Sequence, residues 1–320
     1  MTESQYSEFL NQTALVWNWP IGIYLFLLGI SVGMVTIAIL LKRTLFKAQP
    51  ETSNIIKATA ILAPITVCSG LLILVFHLTM PWTFWRLMIF YSPTSVMSIG
   101  VMLFQIYMVI LIAWCAIIFR GLIETLLKGR LAWLLSFVNG LVRYERIIES
   151  SLLFVALLLG AYTGFLLSAL KTYPLLNNPV LPILFMFSGI SSGAAMIVLA
   201  TVTLFKEPTN SPSLAFVHKV ENPVVLFELF SIFAFCVGLY FGGGQKTVSL
   251  ITAITDGVWG SVFWLGILGI GILLPLILNK VVSHSIQHKK GYLITLSCMS
   301  LFGTLLLRLF VLYAGQMTMA

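Results

Sequence analysis

Charge is what this sequence has least of. Only 9% of its 320 residues are Asp, Glu, Lys or Arg, where soluble domains carry about a quarter. Hydrophobic residues make up 59%, and the mean hydropathy is +1.04. A water-soluble fold could not hide that much apolar surface, whereas a bilayer solvates it. Cysteine is also sparse: Cys68, Cys115, Cys236 and Cys298 stand far apart, each within an apolar run, and no C-x-x-C occurs. That spacing encodes neither a zinc site nor an iron–sulfur cluster, and it reads as small apolar side chains. Of the four histidines only His77 falls within a long apolar run, while His218, His284 and His288 lie between runs. A b-type haem held by two axial histidines on facing helices is therefore not expected. No P-loop, Gly-rich dinucleotide motif, HExxH or nucleophile elbow is present.

What is there is a series of eight apolar stretches, each near the ~20 residues that a ~30 Å hydrocarbon core requires. The expected spans are 20–41, 58–79, 95–118, 149–170, 182–205, 223–241, 258–278 and 292–315. They predict an all-α integral membrane protein of eight transmembrane helices, with residues 1–320 as a single polytopic membrane domain. No signal peptide is expected, since the start carries Glu3 and Glu8 without Lys or Arg and the first run exceeds an h-region.

The formal charge of +8 could suggest a nucleic-acid partner, but its placement argues otherwise. The loops after spans 1, 3, 5 and 7 hold fourteen Lys and Arg, among them Lys42, Arg43, Arg143, Arg146, Lys289 and Lys290. The other loops and both termini hold only Arg86, Lys171 and Lys246. That asymmetry orients a membrane protein with both termini outward, which in a bacterial inner membrane means the periplasm. The motif GISVG at 29–33 also returns as GISSG at 189–193, half the sequence later. Two readings stand: parallel repeat halves, 1–170 and 171–320, or small residues lining close helix crossings.

Polar groups inside a membrane are costly and mark candidate sites. Placed by depth, Tyr24 is about one turn below the outer end of span 1 and His77 is near that of span 2. Tyr162 lies ~12 Å below the outer end of span 4, and Arg308 ~10 Å below that of span 8. Asn18 adds an amide at the same outer level, whereas Glu228 is expected in the inner half, five residues into span 6. Trp17, Trp19, Trp82 and Trp85, and Tyr24 as well, also suit an interfacial aromatic belt. Arg308 is too deep for a helix-end charge and should face the interior, hold a partner or snorkel.

Four blocks of sequence carry a resemblance: WNWPIGIYLFLLGISVG (17–33), YSPTS (91–95), LLLGAYTGFLLSALK (157–171) and LRLFVLYAGQ (307–316). In this order they resemble the NrfD/polysulfide reductase membrane-subunit family, most closely its branch serving cytochrome c nitrite reductase. The resemblance implies a subunit without cofactors of its own that oxidises menaquinol near the periplasmic face. It further implies a periplasmic ferredoxin-like partner with four iron–sulfur clusters, delivering electrons to a multihaem cytochrome c nitrite reductase. In the polysulfide reductase relative a fourth-helix tyrosine contacts the quinone, and the matching position is Tyr162. Where that relative uses an asparagine and a histidine on the first helix, this chain has Ile21 and Tyr24, so Tyr24, Asn18 or His77 would replace those contacts. A secondary transporter and a passive anchor for peripheral redox subunits are the rival readings.

Two expectations can be tested directly. Alkaline phosphatase fused after Ala320 should be active and green fluorescent protein dark; the reverse pair of results overturns the orientation. The purified subunit should show no haem absorption and no iron–sulfur signal, and one iron per subunit would sink that reading.

Overall fold

A computed structural model describes residues 17–45, 53–78, 80–127, 132–255 and 257–317. Eight helices in it are long and apolar enough to cross a membrane. They are α1 (Trp19–Thr44), α2 (Asn54–His77), α3 (Val96–Ile118), α4 (Glu145–Ser168), α5 (Leu181–Thr203), α6 (Pro212–Tyr240), α7 (Gly257–Val281) and α8 (Lys290–Met317). In hydrocarbon every backbone N–H and C=O must bond within its own segment, so apolar runs of this length become helices. For orientation, the end holding the start of α1 and the close of α8 is called the outer end, the side on which the Lys and Arg asymmetry is expected to put it.

Most expected spans agree with these helices to within a few residues, but α6 does not. The helix begins at Pro212, eleven residues before the apolar run at 223, and carries Pro223 in its interior. Ser211 caps the true start, accepting from the Leu214 amide at 3.3 Å, with Pro212 in the first turn where its missing N–H costs nothing. Glu228 lies twelve residues from Tyr240, about 18 Å along α6, just past the middle of a ~30 Å core on the expected inner side. Within α7, Val262–Leu273 is wound as a π-helix.

The most enclosed helices are α1 and α5, and they touch. The two repeated motifs make that contact. A Cβ on Gly33 would lie 2.1 Å from the Gly189 carbonyl oxygen, and one on Gly193 would lie 2.3 Å from the Gly33 carbonyl carbon. Only glycine permits so close a crossing. Around this axis α1 packs on α2, α4 and α8, while α5 packs on α6, α8 and α4; α3 packs on α4 as α7 does on α8. Shifting every helix number by four maps these neighbours onto themselves, the pattern that an axis along the membrane normal between α1 and α5 generates.

At the inner end α1 and α4 are pinned by charge. Buried Lys42 pairs with Glu145 and Glu149, and Arg43 reaches Glu149 at 3.7 Å and the Ser150 hydroxyl at 2.8 Å. Gly33→Ala or Gly193→Ala should destabilise the bundle by at least about 1–3 kcal/mol, because backbone rather than a flexible side chain occupies the space. Gly140→Ala, where a Cβ meets nothing within 4 Å, is the control. Unfolding in detergent should separate them; equal stability of all three variants would remove the crossing from its central place.

Candidate functional site

The first turns of α1 form one wall of a cavity. Ile21 and Tyr24 share a face of the helix, with Trp17 just ahead. Gln316 near the end of α8 holds Trp17 by two bonds. Its Oε1 accepts from the Trp17 amide at 2.9 Å, and its Nε2 donates to the Trp17 carbonyl at 2.9 Å. The opposite wall comes from α3, whose Gly100, Phe104 and Met108 recur every fourth residue, and from Tyr162 and Leu166 of α4. Leu71 and Leu74 of α2 and Met88 of the α2–α3 connection complete a chamber of about 300 Å³.

Tyr162 owes its position to Gly100. A Cβ there would fall 1.9 Å from the tyrosine's hydroxyl oxygen, so the ring lies directly over the glycine. The Tyr162 hydroxyl donates to the Val96 carbonyl at 3.0 Å, which leaves its oxygen free to accept. Tyr24 is buried within electrostatic reach of Tyr162, with its ring 5.8 Å from that of Phe104. Its hydroxyl has no hydrogen-bond partner among the described residues. Two phenols and the Gln105 amide in a chamber walled mainly by apolar side chains suit a ligand with a polar head and an apolar body.

The other expected site residues lie elsewhere. His77 ends α2 and is exposed, one helical turn beyond Leu74 on the same face, but it does not line the cavity. Asn18 is the N-cap of α1 and bonds no amide through its side chain; its Oδ1 is buried without a partner, outside the cavity wall. Arg308 is 1% exposed and lines no part of the chamber. Its Nη2 donates to the Phe185 carbonyl at 2.9 Å, and its guanidinium lies 3.8 Å over the Phe185 ring. Glu228 is within electrostatic reach of it. Arg308 therefore ties α8 to α5 and faces α6. A larger cavity, about 550 Å³, opens at the opposite end among Ser211, His218, Asn222, Asn279, His288 and Tyr292, with a mixed polar and apolar lining.

Comparison with known proteins gives the lineage. The family described as "Polysulphide reductase, NrfD" matches residues 8–320. The protein belongs to the NrfD family. It is 50% identical to "Protein NrfD" of Escherichia coli (strain K12), over 96% of its own length and 97% of that relative's. It is also 50% identical to the "Protein NrfD homolog" of Haemophilus influenzae, over 96% of each. Identity to the C subunit of polysulfide reductase from Wolinella succinogenes is 40%, over 94% and 95%.

The blocks that carried the NrfD resemblance meet in space. The first supplies Trp17, Ile21 and Tyr24, the third Tyr162 and Leu166, and the fourth Gln316, which clasps Trp17. Tyr91 of the second donates to the Met88 carbonyl at 2.7 Å and also bonds Gln105. Gln105 lines the cavity and donates to the same carbonyl at 3.1 Å. Sequence reasoning missed Gln105, although an amide within an apolar run was the signal to follow. Gly100 carried no comparable signal, since only the approach of α4 gives it meaning.

That approach is testable by a double-mutant cycle. Gly100→Ala should destabilise by about 1–3 kcal/mol by displacing the Tyr162 ring. In a Tyr162→Ala background, where the space is vacated, it should cost much less. Strict additivity in detergent unfolding would show that the two residues do not meet.

Proposed function

We propose that this protein is the quinol-oxidising membrane subunit of a respiratory oxidoreductase in a bacterial inner membrane. In this reading it takes electrons from menaquinol at the outer cavity and gives them to a periplasmic ferredoxin-like subunit with four iron–sulfur clusters. A multihaem cytochrome c nitrite reductase is the terminal acceptor, so nitrite reduction to ammonia takes place outside this subunit. The carrying observation is the pairing of Tyr24 and Tyr162 in an apolar chamber at the outer end. The names of relatives, a polysulfide reductase subunit among them, support membership of a reductase complex.

The chemistry fits the geometry. A quinol carries two hydroxyls on a flat apolar ring system. Tyr162 already donates its proton to Val96, so its oxygen accepts from one quinol hydroxyl. Tyr24, with its hydroxyl uncommitted, takes the other end of the ring. Oxidation releases two electrons to the partner's clusters and two protons to the outer side. No lining residue is a ready base. His77, one turn beyond Leu74, carries an imidazole that accepts protons leaving the chamber. Arg308 acts at a distance, holding α5, and hence its crossing with α1, in place.

The test is quinol-driven nitrite reduction in membranes holding equal amounts of each variant. Tyr162→Phe keeps the ring and removes the hydroxyl, so loss of about 1–3 kcal/mol should lower affinity or rate by one to two decades. His77→Ala should act mainly on rate, and Arg308→Leu on assembly as well as activity. Wild-type rates and inhibitor sensitivity in both Tyr162→Phe and His77→Ala would place the site elsewhere.

A further inference from the structure

The end of the bundle opposite the tyrosine chamber holds the second cavity, which the quinol reading does not use. Its walls come from the α5–α6 connection, the first three turns of α6, the end of α7 and the start of α8. Helix α6 packs on α5, but among the described residues it makes no extended contact with α7 or α8. The cavity of about 550 Å³ fills the cleft where those helices part.

Its polar lining stands at the edge of an apolar run on three elements at once. Asn222 directly precedes the run that starts at 223, Asn279 directly follows the one that ends at 278, and Tyr292 opens the last run. This is the depth at which a bilayer passes from hydrocarbon to headgroup. The walls are fixed by bonds of their own. His288 Nδ1 lies 3.3 Å from the Thr209 carbonyl oxygen and so joins the α7–α8 connection to the α5–α6 connection. The Tyr292 hydroxyl donates to the Asn279 side chain at 3.0 Å, and Gln287 donates to the Asn279 and Val282 carbonyls at 2.8 and 3.0 Å.

The charge around the cleft is one-sided. Lys219, Lys280 and Lys289, all exposed, each adjoin a lining residue. Against them stands Glu221, whose carboxylate bonds His218 Nδ1 at 3.1 Å. A charged histidine donates from both ring nitrogens, so His218 can hold Glu221 through Nδ1 and an anionic oxygen through Nε2. The Ser211 hydroxyl oxygen accepts from the Leu214 amide at 3.3 Å, which leaves its O–H to donate to the same ligand. Along α6 the wall turns apolar. Leu226 and Phe230 follow Asn222 at every fourth residue, on one face of the helix, and are 59% and 64% exposed.

We propose that this cleft binds the phosphate group of an anionic phospholipid, with His218 and Ser211 on the phosphate oxygens, the lysines drawing the charge, and an acyl chain along Leu226 and Phe230. A basic pocket between membrane helices at the Lys-rich end is the setting in which such headgroups are held. The phosphate comes from lipid rather than from solution because the polar wall lies at headgroup depth and continues into exposed apolar side chains. This site is independent of the quinol reading.

The experiment uses the complete protein in its complex, in phosphatidylethanolamine vesicles with a minor share of phosphatidylglycerol carrying a diazirine high in one acyl chain. Irradiation should label residues 209–230 and 279–293 most strongly, and unlabelled phosphatidylglycerol should compete. Phosphatidylcholine, whose phosphate is offset by its own cation, should compete about tenfold less well. Labelling spread evenly over the eight helices, or equal competition by phosphatidylcholine, overturns the site. Displacement of the label by millimolar inorganic phosphate overturns the lipid and gives the cleft to a dissolved anion. His218→Gln removes the charge and should weaken labelling about tenfold, while Lys171→Gln at the opposite end should leave it unchanged. Wild-type labelling in His218→Gln, or an equal loss in both variants, overturns the assignment of the phosphate to His218. The wild-type labelling pattern carries the test even if the histidine variant fails to insert.

Discussion

The contact between the backbones of α1 and α5 sets the position of every other helix. Glycine at 29, 33, 189 and 193 removes the side chains that would hold the two axes apart. In a bilayer, where lipid tails are as apolar as leucine, such close packing and a few polar bonds supply the association that water supplies elsewhere. Arg308 lies beside this crossing, with its Nη2 3.4 Å from where a Gly29 Cβ would be, and ties α8 to the carbonyl of Phe185. A buried guanidinium is costly unless paired, and here a carbonyl, an aromatic face and the nearby Glu228 share it.

From that axis the chamber follows at the outer end. Helix α4 packs against α1 and α3, and Gly100 lets the Tyr162 ring settle on α3 with its hydroxyl on Val96. Gln316 fixes Trp17 across the first and last helices. The helix that does not close up is α2, which is locked at Ala60 and Ala63 but unburied beyond Gly70. A rigid three-helix wall beside one loosely packed helix is an arrangement in which a site can be both shaped and accessible.

Low charge, eight apolar runs and the Lys and Arg asymmetry were legible in the sequence because the bilayer imposes length and composition on each helix separately. So were the four motif blocks, and with them the family. Tyr24 and Tyr162 stood out because a polar group at depth is exceptional. The extension of α6 back to Pro212 was not legible, since residues 212–222 carry His218, Lys219 and Glu221 and lie outside the apolar run. Gln105 was passed over because its task, holding the α2–α3 connection through Met88, joins residues seventeen apart in sequence.

The sequence alone therefore determined that this protein spans a membrane eight times and which family it belongs to, because those properties are local and compositional. Only the tertiary structure decided that the two glycine motifs face each other, that Tyr24 and Tyr162 share a chamber, and that Arg308 stands apart from it on Phe185. Each of those is a relation between residues on different helices. Their pairing depends on which helix faces are brought together, and apolar runs that all satisfy the same bilayer do not specify it.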